Sequence, residues 1–334
     1  MKRGLVLLLI LLSCSASAQK KDSFWRDLND FLNMRADKAY AKTDTNYVGR
    51  YPYHWDARLY YKTSGIHMLT TGVSDMNLST GMSNRVGVGI SYRGLGISYS
   101  KAIGRKLNLD LGLDTYGRHF CLEYTLRAST DLSGTIGNDG QSIAKNEWLL
   151  VSNNLNLFWS FNPRFSYAAA MKQTKIQRRS AGSVLIGFSW SLWDVFDTDV
   201  LLEKDVTDLS YRLLVDNYMY NRFSIGAGYG YNLVLGDKHW LIHASLIPMW
   251  TVFDFSVRWK EGERSYTGRP IGNHAFSGTA RAGVYYRWGT RWSAGISSVV
   301  NQMTSFDQWN SKAVGRRYFG AQDWQARFTL TFRF

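Results

Sequence analysis

Across residues 324–334 every second position is apolar: Trp324, Ala326, Phe328, Leu330, Phe332 and Phe334. Gln325, Arg327, Thr329, Thr331 and Arg333 fill the positions between them. A period of two is that of a β-strand, whose side chains point alternately to two faces. One face here carries large aromatics and the other Arg and Thr, as in a strand that turns its apolar side to lipid and its polar side to a lumen. The alternation recurs. Phe276, Gly278, Ala280, Ala282, Val284, Tyr286 and Trp288 oppose Ser277, Thr279, Arg281, Gly283, Tyr285 and Arg287; Phe223, Ile225, Ala227, Tyr229, Tyr231 and Leu233 oppose Arg222, Ser224, three glycines and Asn232. Residues 107–114 and 85–92 follow the same rule. Glycine on the inward face leaves room for bulky neighbours in a narrow lumen. The pattern predicts an all-β fold, a transmembrane antiparallel β-barrel.

The connections set the strand number. Membrane barrels have short turns on the periplasmic side and longer loops outside. Short turns are expected near 92–95, 116–118, 161–164, 236–238 and 288–291, and longer loops near 128–146, 193–221, 260–273 and 306–323. Fourteen strands would leave one long loop on each side. About twelve strands restore the rule, provided that Trp55–Thr71 is a single long strand and that 165–174 is an inserted turn or short helix. Both termini then lie in the periplasm. Ahead of the barrel (55–334), residues 19–54 carry Phe24, Leu28, Phe31 and Leu32 at helical spacing, with Asp22 or Ser23 as a cap, and predict a short helix.

The amino-terminus fits export. Lys2 and Arg3, an apolar run over 4–12 and Ala16-Ser17-Ala18 make a secretory signal over 1–18. A competing reading acylates Cys14 instead. The apolar run is shorter than the ~20 residues a spanning helix needs. Aromatic residues make up 15% of the chain, with 13 Trp and 20 Tyr, more than a soluble sandwich needs. Such a content suits a barrel with interfacial girdles. Without the signal, Cys121 is the only cysteine and forms no intramolecular disulfide. The formal charge of +14 falls to 14 − 2 = +12 once Lys2 and Arg3 are removed. These cations are spread over strands and loops with no helix stripe, which argues against nucleic acid and suits outer-membrane lipid and lipopolysaccharide phosphates.

Two sets of residues carry candidate chemistry. His243 and Ser245 lie two apart, so they share a face and the imidazole can take the hydroxyl proton. This spacing resembles that of outer-membrane phospholipases, which implies an acyl hydrolase. In that family the dyad faces lipid, whereas here Trp240, Ile242, Ala244 and Leu246 take the lipid face. A neutral lumen histidine is the plainer reading. The second set is the inward charges: Asp56, Arg58 and Lys62 on the first strand, Asp110 and Asp114 on the fourth, Glu123 and Arg127 on the fifth, and Arg281, Arg287, Arg327 and Arg333 near the carboxy-terminus. Either they pair into a network that fills the barrel, or they form an arginine-lined lumen that binds or passes a small anionic solute. Arg178 and Arg179 are candidates for contact with head groups or an anion. The remaining histidines lack metal-site spacing, and no cofactor motif is present.

Six segments carry a family resemblance: Asp44-Thr45-Asn46-Tyr47-Val48, Val86-Gly87-Val88-Gly89-Ile90-Ser91-Tyr92-Arg93-Gly94, Tyr116-Gly117-Arg118, Phe165-Ser166-Tyr167, Gln177-Arg178-Arg179-Ser180-Ala181-Gly182-Ser183 and Gly228-Tyr229-Gly230-Tyr231-Asn232. In these the chain is similar to a family of Bacteroidetes-type outer-membrane proteins, the domain of unknown function DUF 4421. The resemblance implies an outer-membrane barrel and no particular activity. The final strand ending in Phe334 also resembles the terminal signature of bacterial outer-membrane proteins, which implies the barrel-assembly machinery as a partner.

Overall fold

The computed structural model describes residues 21–71, 76–104, 107–136, 140–145, 147–197, 217–260, 263–269, 274–307 and 317–334. The expected signal segment, with Cys14, lies outside them. Helix α1 (Lys21–Ala41) occupies a unit apart from the barrel unit Asp44–Phe334. It is longer than the sequence pattern predicts, and Asp22 and Ser23 lie inside it instead of capping it. Helix-favouring residues such as Arg35, Ala36, Lys38 and Ala41 extend it past the last apolar position. Phe31 and Met34 are exposed, and the side chains of Phe24 and Leu28 lie outside the described set. Among the described residues no helix is long and apolar enough to cross a membrane.

The strands follow in order. They are β1 (Val48–Arg50), β2 (Trp55–Thr71), β3 (Met76–Ser79), β4 (Ser83–Tyr92), β5 (Leu95–Ala102), β6 (Asn108–Tyr116), β7 (Phe120–Ser129), β8 (Ser133–Ile136), β9 (Gln141–Ile143) and β10 (Trp148–Ser160). After helix α2 (Tyr167–Met171) come β11 (Lys175–Gln177), β12 (Ala181–Asp197), β13 (Asn217–Leu235), β14 (Trp240–Lys260), β15 (Glu263–Arg269), β16 (His274–Trp288), β17 (Trp292–Asp307) and β18 (Arg317–Arg333). Twelve of them close into an antiparallel barrel: β2, β4, β5, β6, β7, β10, β12, β13, β14, β16, β17 and β18, with β18 pairing back onto β2. Trp55–Thr71 is one strand and the 165–174 segment holds a helix, as the connection lengths require. Both ends of the barrel chain meet at the short-turn end, where Trp55 and Phe334 exchange backbone hydrogen bonds of 3.1 Å. The Arg93-Gly94 turn, with φ of 52° and 89°, makes the tight β4–β5 hairpin there.

The outer surface identifies the solvent. Leu59, Val86, Val88, Ile97, Leu113, Val184, Ile225, Leu246, Val284, Ile296 and Phe328 are exposed on successive strands. Aromatics rim this band at the short-turn end, where Trp55 packs with Tyr92 and Phe334, Trp240 with Tyr286, and Trp292 with Phe332. A second set, Trp190 with Phe223 and Trp250 with Phe276, rims the far side. Trp240 and Trp250 are ten residues apart on β14, which at ~3.3 Å per residue and ~40° tilt is ~25 Å of height, the apolar thickness of an outer-membrane barrel. The barrel spans a membrane.

Two expectations change. The expected loops at 128–146 and 260–273 contain β8, β9 and β15, and β3 precedes β4. With β3, these strands raise the sheet beyond the rim: β3 pairs with the outer part of β2, β8 with β3, β9 with β8, and β15 with β14. β8, β9 and β15 are short or polar on both faces, so no alternation marks them; β3 alternates, with Met76 and Leu78 buried, but over only four residues. The expected turn at 161–164 opens a longer insert, 161–180, that enters the barrel.

The long-loop end of the lumen is filled by apolar side chains. Ile66, Met68, Leu78, Leu132, Leu150, Trp193, Tyr220, Met303 and Ala321 form one buried cluster. Tyr220 on β13 stacks on Phe319 on β18 at 4.0 Å between centroids. Three strands of wall separate β13 from β18, so the contact crosses the lumen.

Candidate functional site

The insert 161–180 plugs the short-turn end. Ser183 Oγ accepts from the backbone N–H groups of Phe161 and Asn162 at 3.0 Å each, fixing the chain's departure from β10. Ser166 caps α2, its Oγ accepting from Ala169 N–H at 3.2 Å. Small alanines follow, so the helix fits inside the wall: Ala168, Ala169 and Ala170 are fully buried. Phe165 and Tyr167 pack with Phe158, Leu185, Ile247 and Met249 from three surrounding strands, β10, β12 and β14. Gly230 has no Cβ, which would stand 3.1 Å from the Phe165 ring. The chain leaves through β11, which pairs with β1, Val48 opposite Gln177.

A polar knot holds this insert to the wall. Gln177 Oε1 accepts from Ser166 N–H and from Asn232 Nδ2, both at 3.0 Å. Its amide nitrogen donates to Arg164 O at 2.7 Å and Arg179 O at 2.9 Å. Asn232 Nδ2 also donates to Ser166 O at 3.0 Å. These contacts fix the Asn232 amide, so its Oδ1 is the acceptor that faces His243 Nδ1 at 2.8 Å. The Nδ1 proton is thereby assigned, and bare Nε2 accepts from Ser245 Oγ at 3.1 Å. Tyr167 hydroxyl lies 3.3 Å from Ser245 Oγ. His243 and Ser245 therefore meet a third polar partner, in a relay that could in principle move a proton. Both are buried, under Phe165 and Tyr167 rather than beside lipid.

Between plug and apolar seal lies a cavity of about 900 Å³, counting its opening to solvent. Five cations and four carboxylates line it: Lys62, Arg127, Lys172, Arg281 and Arg327 with Asp110, Asp114, Glu123 and Asp323. Asp110 receives Lys62, Arg85 Nη1 at 2.6 Å and Arg127 Nε at 3.0 Å. Arg127 Nη1 reaches Asp323 at 2.9 Å and Arg281 Nη1 reaches Glu123 at 2.6 Å. Each of these two pairs joins strands separated by four others, so both are braces across the lumen. Arg58 bonds Ser91 and lies 3.2 Å from Asp56 and 3.8 Å from Asp114.

Lys172, carried by the insert, reaches Asp114 at 2.8 Å. Burial holds the Lys172 ammonium below the ordinary lysine value, with Asp114 pulling against that shift and Arg58 and Arg327 adding to it. Arg327 differs from its neighbours. Its guanidinium sits over the Tyr60 ring at 4.5 Å, and no carboxylate of the described residues pairs with it.

Of the predicted lumen set, Arg58, Asp110, Asp114, Glu123, Arg281 and Arg327 come together around this chamber. Arg287 and Arg333 do not line it. Arg287 is at the strand end and donates to Lys238 O, closing the turn. Arg333 is buried lower down, over Tyr51 at 3.8 Å and on Gln173 O at 2.7 Å, where it ties the insert's exit to β18. Arg178 donates to Thr45 O at 2.9 Å and Arg179 lies over Tyr47 at 5.8 Å, so both also fasten the 44–48 segment to the insert. Asp323 has inward parity and is reached by extending the alternation by one residue, and Arg85 already stands on the inward face of 85–92. Lys172 has no such signal, because the insert has no strand period. Cys121 is buried and free. Among the described residues no group of three or more His, Cys, Asp or Glu is placed to hold a metal.

The family model described as "Domain of unknown function (DUF4421)" matches residues 42–321. Comparison with curated proteins finds no match. Among solved structures the chain is similar to the outer membrane protease OmpT of Escherichia coli, at 8% identity and a TM-score of 0.38 over 84% of this chain and 97% of that one. It is also similar to the β domain of the Bordetella autotransporter BrkA, at 13% and 0.36 over 83% and 99%. The Pseudomonas putida toluene transporter TodX matches at 7% and 0.28 over 83% and 89%. Likeness at this level carries no information on activity.

Proposed function

We propose that this chain, which belongs to the DUF4421 family, is an outer-membrane β-barrel that is closed to ion flow at rest and binds a small anionic solute in its arginine-walled chamber. The observation that carries this reading is Arg327. Every other cation on the chamber wall has a carboxylate partner, whereas Arg327 has an aromatic face and open space. Arg327 is half-buried and lacks a counter-ion in a lumen where the other charges are paired, and a carboxylate or phosphate ligand would supply one through charge-assisted hydrogen bonds. The apolar belt and its aromatic rims support the membrane location, with the short-turn end towards the periplasm. Exposed Phe334 at that end is the proposed handle for the barrel-assembly machinery.

The alternative, an acyl hydrolase built on His243 and Ser245, has the Asn232 hydrogen bond in its favour. Against it, the dyad faces the plug, and its polar atoms are used in holding the insert. A latch is the role the geometry supports best.

Incorporation of the refolded protein into a planar bilayer tests the closed state: no steady conductance is expected, and a constant open current would overturn it. Equilibrium dialysis with radiolabelled succinate tests the ligand. Binding that Arg327→Gln weakens by about tenfold or more, the scale of a charge-assisted hydrogen bond, is expected. Binding that is absent, or indifferent to Arg327, would overturn the solute reading.

A further inference from the structure

A second concentration of positive charge lies outside the chamber, at the short-turn end. Arg50 and Lys175 are directly opposite one another in the β1–β11 pair. Like charges in that position repel and destabilise the pairing. The Lys175 ammonium donates to Gly117 O at 3.2 Å, which draws it to the β6–β7 turn, and the next residue of that turn is Arg118. Arg118 Nε is buried and has no hydrogen-bond partner among the described residues. The charges acting on Lys175 are those of Arg118 and Arg50, with no carboxylate of the described residues among them. Burial, then those two cations, push its pKa down to about 8.

Arg50 and the other cations of this region are accommodated. Arg164 pairs with Asp44 at 3.2 Å, Arg178 has Thr45 O, and Arg179 has Tyr47. The set around Lys175 brings positive charge together and leaves donors over. An ammonium has three N–H groups and Lys175 uses one on Gly117; the Arg118 Nε–H is also unspent.

We propose that Lys175 and Arg118, with Arg50 beside them, form a binding site for a phosphate group at the periplasm-facing mouth of the barrel. A tetrahedral oxyanion offers acceptors to both the ammonium and the guanidinium and neutralises charges that otherwise repel. The phosphate could be free in the periplasm or part of a phospholipid head group of the adjoining leaflet. The site is separate from the Arg327 chamber, so either can fail without the other.

The test is the acylation rate of Lys175 in the full-length protein, read by mass spectrometry at neutral pH after a limited pulse of an amine-reactive ester. The protein is held in a phosphate-free maltoside micelle or in a nanodisc. A bound phosphate favours the ammonium, and a shift of about one pKa unit lowers the reactive amine about tenfold. The expected result is saturable protection of Lys175 of that size by inorganic phosphate, not matched by chloride at equal ionic strength. Protection by phosphatidylglycerol nanodiscs, but not by free phosphate or phosphatidylcholine, would support the site and assign the head group as its source. Arg118→Gln should abolish protection, and Arg118→Lys should retain part of it. Arg327→Gln should leave it intact, with folding of each variant checked by heat-modifiable gel mobility. No protection by either phosphate source, or protection unchanged in Arg118→Gln, would overturn the proposal.

Discussion

Asn232 and His243 stand opposite each other on β13 and β14, joined by a 2.8 Å hydrogen bond from His243 Nδ1 to Asn232 Oδ1. Through the same Asn232 amide the wall grips Ser166 and Gln177, at the entry and exit of the insert. One residue of the barrel thus holds both ends of the plug and sets the tautomer of the histidine behind it.

Asn232→Leu removes this grip. It leaves His243 Nδ1 buried without its partner, at ~1–3 kcal/mol, and takes one hydrogen bond, at ~0.5–1.5 kcal/mol, from each of Ser166 O and Gln177 Oε1, which keep the N–H groups of Ala170 and Ser166. The urea midpoint in micelles is expected to fall by an amount equivalent to about 2–6 kcal/mol. Protease cleavage within 161–180 should become detectable. A variant as protease-resistant as the parent would show that the insert is held by packing alone.

Ser245→Ala separates latch from enzyme. It deprives His243 Nε2 and the Tyr167 hydroxyl of one buried partner, a loss of about 1–3 kcal/mol. Release of fatty acid from phospholipid vesicles should be at background for both proteins. An activity present in the parent and lost in the variant would restore the hydrolase reading.

The cross-lumen brace Arg127–Asp323 gives a double-mutant test. Arg127→Met strands Asp323 as a buried charge and should cost ~3–5 kcal/mol. Asp110 retains Lys62 and Arg85. Adding Asp323→Asn to the same chain should recover most of the loss, as followed by urea unfolding. Simple additivity of the two losses would mean the brace is not formed.

Lys175 predicts a pH dependence of stability. Its folded pKa of about 8 lies below the ordinary lysine value of 10.5. The unfolded chain therefore binds the extra proton between those values, and stability rises with pH across that window. Below pH 8 both states hold the proton, and the repulsion from Arg50 and Arg118 is carried in full. Lys175→Met should flatten the rise in unfolding midpoint over the window. An identical slope in the variant would assign the effect to other groups, such as Lys172.

The wall of the barrel was legible because lipid and lumen impose opposite demands on alternate residues. That is why parity alone placed Arg58, Asp110, Glu123, Arg281 and Arg327 inward, and why the run ending in Phe334 reads as the closing strand. Parity says nothing about height, so Arg287 and Arg333 were grouped with the chamber although they sit at its mouth. Strands β8, β9 and β15 lie beyond the membrane, where neither face must be apolar, and left no trace; β3 alternates, but over four residues only. The insert was visible as an interruption, but its polar contacts were not. Gln177 meets Asn232 across 55 residues of sequence, and no local pattern encodes that pairing.

The central claim is an anion beside Arg327. Anomalous diffraction from crystals soaked in sodium bromide tests it most directly. The account predicts a bromide peak in the chamber at ion-pair distance from the Arg327 guanidinium, absent from Arg327→Gln crystals soaked in the same way. An ordered chamber with no bromide at Arg327, in crystals that bind bromide elsewhere, would contradict it.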